Sequence, residues 1–211
     1  MKYKYRPPFL IKKIFNSFIW ETSNNKILLT FDDGPTEAAT LKILSILNSN
    51  KIKAVFFCVG NNINKHPGLT EKILESQHTI ANHTMNHELL LKMNLKKSIS
   101  AIEPFNFLLK KNFNYHVKYF RPPYGIFNFS TKKILANLNL KCVMWNPLTY
   151  DFENDFKKVE YSINKYLNNN SILVFHDSRK SSEIIERSLD FTIEQTSKMG
   201  FEFGEPEECL N

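Results

Sequence analysis

A chain of 211 residues with 42% apolar residues is long enough for one domain with a substantial core and too short for two ordinary ones. The formal charge is +7, yet no basic run carries interleaved stacking aromatics, which sets nucleic acid aside and leaves lysine as a general solubilising residue. Cys58, Cys142 and Cys209 are an odd number that forms no disulfide framework, and no apolar stretch approaches the roughly 18–20 residues that span a bilayer.

Residues 1–25 read as an amphipathic N-terminal extension ahead of a domain over 26–211. Within it Leu10, Ile11, Ile14, Phe15, Phe18 and Ile19 recur at helical spacing. The expectation is a helix that packs this stripe on the domain; the alternative is peripheral membrane contact through residues 9–20, with lysine toward anionic lipid. Lys12 and Lys13 interrupt the apolar run and no small-residue cleavage site follows, so no cleavable signal peptide is evident. The expected location is cytoplasmic or membrane-associated.

A strand is predicted over 27–31, an amphipathic helix over 37–48 and a strand buried on both faces over 54–59. Helical patterns near 69–77, 95–111, 130–138, 155–168 and 182–199 then alternate with short strands near 79–81, 119–121, 142–145, 172–175 and 201–203. Such alternation predicts an α/β protein, a parallel sheet covered by helices in a single domain.

The chemistry-bearing residues cluster at the predicted strand ends. Thr30-Phe31-Asp32-Asp33-Gly34-Pro35 closes the first strand with two adjacent carboxylates, which suits one carboxylate to a cation and the other to a proton. A solvated Asp-Gly turn is the plain alternative for this pair alone. His83-Thr84-Met85-Asn86-His87 sets two imidazoles at i and i+4, read as one face of a helical turn and suited to a divalent cation. His176 follows the apolar run Ile172-Leu173-Val174-Phe175. Two His and one Asp with an open position make a hydrolytic metal site.

These motifs, with Arg121-Pro122-Pro123-Tyr124-Gly125, the stretch from Trp145 to Asp151 and Leu173-Val174-Phe175-His176, resemble in order and spacing the five motifs of the polysaccharide deacetylases, carbohydrate esterase family 4. The resemblance runs from about residue 26 to 203. It implies a distorted (β/α) barrel of about seven strands, with functional residues at the C-terminal strand ends. It further implies that Asp33, His83 and His87 bind a divalent metal, zinc first, with cobalt or another transition ion as alternatives. Asp32 is then the general base on the attacking water, and Arg121 pairs with that base. His176 is the general acid, and Asp151 pairs with it and favours its protonated form. The Tyr124 backbone N–H is an oxyanion donor. Pro123, Tyr124, Trp145 and Leu173 line the substrate pocket.

The implied reaction is removal of acetyl groups from N-acetylated sugars: N-acetylglucosamine in peptidoglycan, a chitin-like oligomer or a lipid-linked glycan. O-deacetylation of acetylated xylan and a catalytically silent glycan-binding module are the rivals. An acetylated glycan is the expected partner, and a monomer the expected state. Departures from the family pattern bear on substrate: Asn146 stands where many relatives carry Asp, and Phe152 where they carry Trp. Gln77, in place of the usual Gly, is expected to adjust a turn.

Overall fold

The computed structural model describes residues 5–211, apart from the Lys92 side chain; residues 1–4 of the N-terminal extension lie outside the described residues. Six parallel strands form one curled sheet in the order β5-β4-β3-β2-β1-β6. In chain order the elements are α1 (Phe9–Ile14), β1 (Leu28–Asp32), α2 (Thr40–Ser49), β2 (Ala54–Cys58), α3 (Gly60–Lys65), α4 (Pro67–Glu75), β3 (Thr79–Asn82) and α5 (Leu95–Phe113). They continue with β4 (Tyr119–Phe120), α6 (Phe129–Asn137), β5 (Lys141–Cys142), α7 (Phe156–Tyr166), β6 (Ile172–His176), α8 (Ile185–Lys198) and α9 (Pro206–Cys209).

Every residue of β1 and β2 is buried, because helices cover one sheet face and the barrel interior the other. Leu29, Phe31, Leu173 and Phe175 point outward into the core shared with α2, α7 and α8. The alternate residues point inward. Register pairs Leu28 with Ile172, Thr30 with Val174 and Asp32 with His176. The interior therefore grades from an apolar floor, sealed by Cys209 and Leu210 after the last strand, to a polar mouth at the strand C-terminal ends.

The expected seventh strand, near 201–203, is reduced to a single bridge between Ile27 and Phe203. Closure comes instead from residues 143–148. Val143 bridges to Ile19 on one side, while Asn146 and Leu148 bridge to Ile172 and Val174 of β6 on the other. The N-terminal segment is thus part of the barrel wall: the Ile19 N–H donates to the Cys142 carbonyl at 2.8 Å, and its carbonyl accepts from Met144 at 2.7 Å. The helix expected to run to Ile19 stops at Ile14, and Phe15, Phe18 and Trp20 pack into the core against α5 and α6.

Helix starts follow their caps. Asn94 accepts from the Lys97 N–H ahead of α5, and Asn128 and Thr131 form a reciprocal capping box ahead of α6. Gln77 occupies a left-handed turn at φ 59°, a conformation that glycine adopts without strain.

Candidate active site

The first carboxylate of the pair ends β1 with its side chain inward. The second follows in the left-handed region, Asp33 at φ 76°, which turns its carboxylate back to the same side. Two consecutive side chains on a strand diverge; this reversal lets both Asp32 and Asp33 face one cavity. The Asp33 backbone is held there by its N–H to the Phe57 carbonyl at 3.1 Å and by Asn62 Nδ2 donating to its carbonyl at 2.7 Å.

Asp33, His83 and His87 offer one ligand atom each, all within 4.8 Å of one another. The imidazoles do not share a helical turn as the i, i+4 spacing suggested. Residues 83–87 are irregular, with Thr84 at φ 67° and His87 at φ 57°, and the loop rather than helical periodicity brings the rings together, 5.0 Å between centroids. His83 is buried, and its Nδ1 lies 2.7 Å from the Arg121 carbonyl, an acceptor only, so Nδ1 carries the proton. Its Nε2 is left with a lone pair and points at Asp33 Oδ1, 3.7 Å away; His87 Nε2 lies 3.2 Å from the same oxygen. Burial holds the His83 pKa below that of ordinary imidazole. Burial acts to raise the Asp33 pKa, but the His87 hydrogen bond and the charges of His176, His83 and His87 outweigh it and hold the group well below the usual carboxylate range. A neutral imidazole with a fixed tautomer and an ionised carboxylate are the forms that ligate a divalent ion, and the donor set fits one.

On one side of this cluster Asp32 Oδ1 accepts from Arg121 Nη1 at 2.7 Å. Arg121 is wholly buried, over the Phe57 ring at 4.0 Å, and its remaining donors reach Thr30 Oγ1 and the Val143 and Met144 carbonyls at 2.7–3.0 Å. On the other side His176 Nδ1 lies 2.8 Å from Asp151 Oδ1, and the His176 N–H donates to Asp151 Oδ2 at 2.7 Å. Burial disfavours the imidazolium, but Asp151 overrides it and pushes the His176 pKa up to about 9.

A cavity of about 700 Å³ opens over these groups. Asp32, Asp33, His87, Tyr124, Trp145 and His176 line it. Tyr124 sits at φ 60°, with its ring 4.6 Å from that of His87. A Cβ on Gly125 would lie 1.9 Å from the Trp145 ring, so glycine lets Trp145 close against the turn.

Two expected lining residues are not there. Leu173 is fully buried on the outer face, in the core with Leu29 and Phe31; since His176 points inward, period-two alternation makes Val174 the lining residue. Pro123 is buried beneath the turn and supports Tyr124 without reaching the cavity. Of the two departures expected to bear on substrate, Asn146 is buried with Nδ2 donating to Glu21 at 2.7 Å, whereas Phe152 lines the cavity, edge-on to His176 at 4.8 Å. Asn61, Asn62 and Lys65 on α3 and Lys180, which belong to no motif, add to the wall, with Asn86 and Leu148 from within the motifs.

A sequence-family model described as Polysaccharide deacetylase matches residues 20–143, more than half of the chain. A peptidoglycan-N-acetylglucosamine deacetylase of Bacillus cereus is 31% identical over 204 residues, covering 90% of this chain and 92% of that protein. The chain belongs to the polysaccharide deacetylase family. Among further members, peptidoglycan-N-acetylglucosamine deacetylase PgdA of Listeria monocytogenes is 29% identical over 184 residues; the match takes in 86% of this chain and spans only 38% of the length of that relative. The crystal structure of the Bc1960 peptidoglycan N-acetylglucosamine deacetylase superposes with a TM-score of 0.86 at 26% identity, covering 96% of each chain.

Proposed function

We propose that this chain is a metal-dependent hydrolase that removes the acetyl group from N-acetylated sugars, N-acetylglucosamine in peptidoglycan, a chitin-like oligomer or a lipid-linked glycan. The observation that carries this reading is the pair of proton-handling groups, Asp32 with Arg121 and His176 with Asp151, set on adjacent strand ends beside the Asp33, His83 and His87 cluster. A glycan binder has no use for either pair. Relatives named as deacetylases of peptidoglycan and chitin support the substrate class.

A divalent ion held by Asp33, His83 and His87, zinc by expectation and cobalt or another transition ion next, supplies Lewis-acid polarisation of the acetyl carbonyl and a more acidic water. Asp32, fixed by Arg121, takes the proton of the attacking water. The Tyr124 backbone N–H donates to the carbonyl oxygen as negative charge develops on it. His176, charged at neutral pH, gives its Nε2 proton to the departing amine while Asp151 holds Nδ1. Trp145, Leu148 and Val174 wall the acetyl methyl group, and Phe152 offers a ring face to a sugar. The protein works as a monomer on an acetylated glycan, in the cytoplasm or at a membrane.

The test is acetate release from chitooligosaccharides and acetylated xylan by chelator-stripped protein, with zinc or cobalt restored. Metal-dependent release from the amide substrate is expected. Preference for xylan would replace the reading by an O-acetyl esterase, and glycan binding indifferent to chelation, without acetate, would replace it by a binding module.

A further inference from the structure

Leu41, Phe107, Tyr161 and Met199 are exposed singly elsewhere, but a larger set of exposed apolar side chains gathers in one region. Phe9, Leu10 and Ile14 on α1 are exposed at 74, 68 and 58%, and Phe129, which opens α6, at 80%. Leu91, in the turn Leu90–Lys92, and Ile126 are exposed as well. These segments meet. The Phe15 ring, at the end of α1, lies 5.3 Å from that of Phe129 and 4.6 Å from that of Phe127, and Asn128 Nδ2 donates to the Leu90 carbonyl at 3.3 Å. Single exposed apolar residues are ordinary, but a contiguous group of this size marks an interaction surface.

Charge says what covers it. Residues 5–20 contain Arg6, Lys12 and Lys13 and no acidic residue. Between residues 89 and 150 Glu103 is the single acidic residue, against ten Lys and Arg. Glu21, paired with Lys12, and Glu88, in one shallow pocket with Lys96 and Lys97, border these stretches; the other acidic residues lie in and after β1, in α4, and from Asp151 onward through α7, α8 and α9. The apolar group is framed by exposed Lys13, Lys96, Lys97, Lys132 and Lys133. A protein partner's apolar patch does not call for a surround this rich in lysine and poor in acid, whereas an anionic lipid headgroup layer over an acyl region matches both features at once. No helix among the described residues is long and apolar enough to cross a membrane, so the contact is interfacial.

We infer that the face built from α1, the turn Leu90–Lys92 and the start of α6 docks on an anionic lipid bilayer. Ile126 is two residues from Tyr124, which lines the catalytic cavity, so docking brings the cavity mouth beside the headgroup layer. Glycan carried by or lying next to a membrane is the form of substrate such a placement serves.

Flotation of the full chain with vesicles of phosphatidylcholine containing about a third phosphatidylglycerol, and with phosphatidylcholine alone, tests the surface without requiring catalysis. The chain is expected to float with anionic vesicles only. The double substitution Leu10→Glu with Phe129→Glu should weaken that binding by at least about tenfold, and Lys13→Glu with Lys132→Glu by a similar factor. All four residues are exposed and outside the catalytic machinery, so circular dichroism and acetate release from short oligosaccharides should match the parent protein. The inference is overturned if the parent chain ignores anionic vesicles or if Leu10→Glu with Phe129→Glu leaves binding unchanged. It is equally overturned if those substitutions instead abolish a concentration-dependent dimer, which would assign the face to a second copy of the chain.

Discussion

Two ion pairs flank the three-ligand cluster, and they are built for opposite purposes. In Asp32–Arg121 the cation is immobile: it is fully buried and spends its donors on Asp32, Thr30 and two backbone carbonyls of the closing segment. In His176–Asp151 the anion is the anchored partner, tied to the His176 N–H and beside Thr149 Oγ1, and the imidazole keeps one nitrogen toward the cavity. The first pair fixes a carboxylate in position, and the second presents a proton. Arg121 also bridges the inner strands to residues 143 and 144, so the placing of Asp32 and barrel closure share one side chain.

That contrast can be broken at its most rigid point first. Arg121→Met leaves Asp32 buried without its counter-charge and unties the closing segment; denaturant unfolding should show a loss of about 3–5 kcal/mol. Next comes Leu173→Ala, which should cost about 2–5 kcal/mol of stability with KM unchanged, because Leu173 fills the outer core and not the cavity. The His176 side is predicted to respond to pH instead. With the His176 pKa raised to about 9, the rate should fall as pH rises through that value. In Asp151→Asn the fall should move to or below the ordinary imidazole value, a loss of roughly thirtyfold near pH 8 in a pH–rate profile. The same raised pKa means that the stability gained from the pair is complete below pH 6.5, the ordinary value, and is lost as pH climbs through about 9. The thermal midpoint of Asp151→Asn should therefore lack that decline. The smallest effect is expected from Val174→Ala, which opens the cavity wall and should raise KM by roughly tenfold with little change in stability.

Charged residues that follow apolar runs were legible because a buried strand tolerates them only at its end. That placed Asp32, Asp33 and His176 at strand ends; a common barrel mouth, and Arg121 in it, came only with the family resemblance. The Leu173 expectation failed where the signal was present: an inward His176 requires an inward Val174 two residues earlier. For His83 and His87 the spacing suggested the right partnership for the wrong reason, since left-handed Thr84 and His87 are tertiary choices that no local pattern announces. Asn61, Asn62 and Lys65 belong to no motif; their position just after β2, at a barrel strand's C-terminal end, was the one available clue. The role of residues 15–20 as a wall of the barrel was hidden because a bridge between Ile19 and Val143 is a long-range pairing that helical periodicity masks.

The central claim is that hydrolysis uses a base on one side of the metal cluster and an acid on the other. It is tested most directly by acetate release from chitotetraose by metal-restored Asp32→Asn and His176→Asn beside the parent chain. Each substitution should lower kcat/KM by roughly 10²–10⁴ while one metal ion per chain is retained. Parent-like rates in both variants, or metal binding without any acetate from the parent chain, would contradict it.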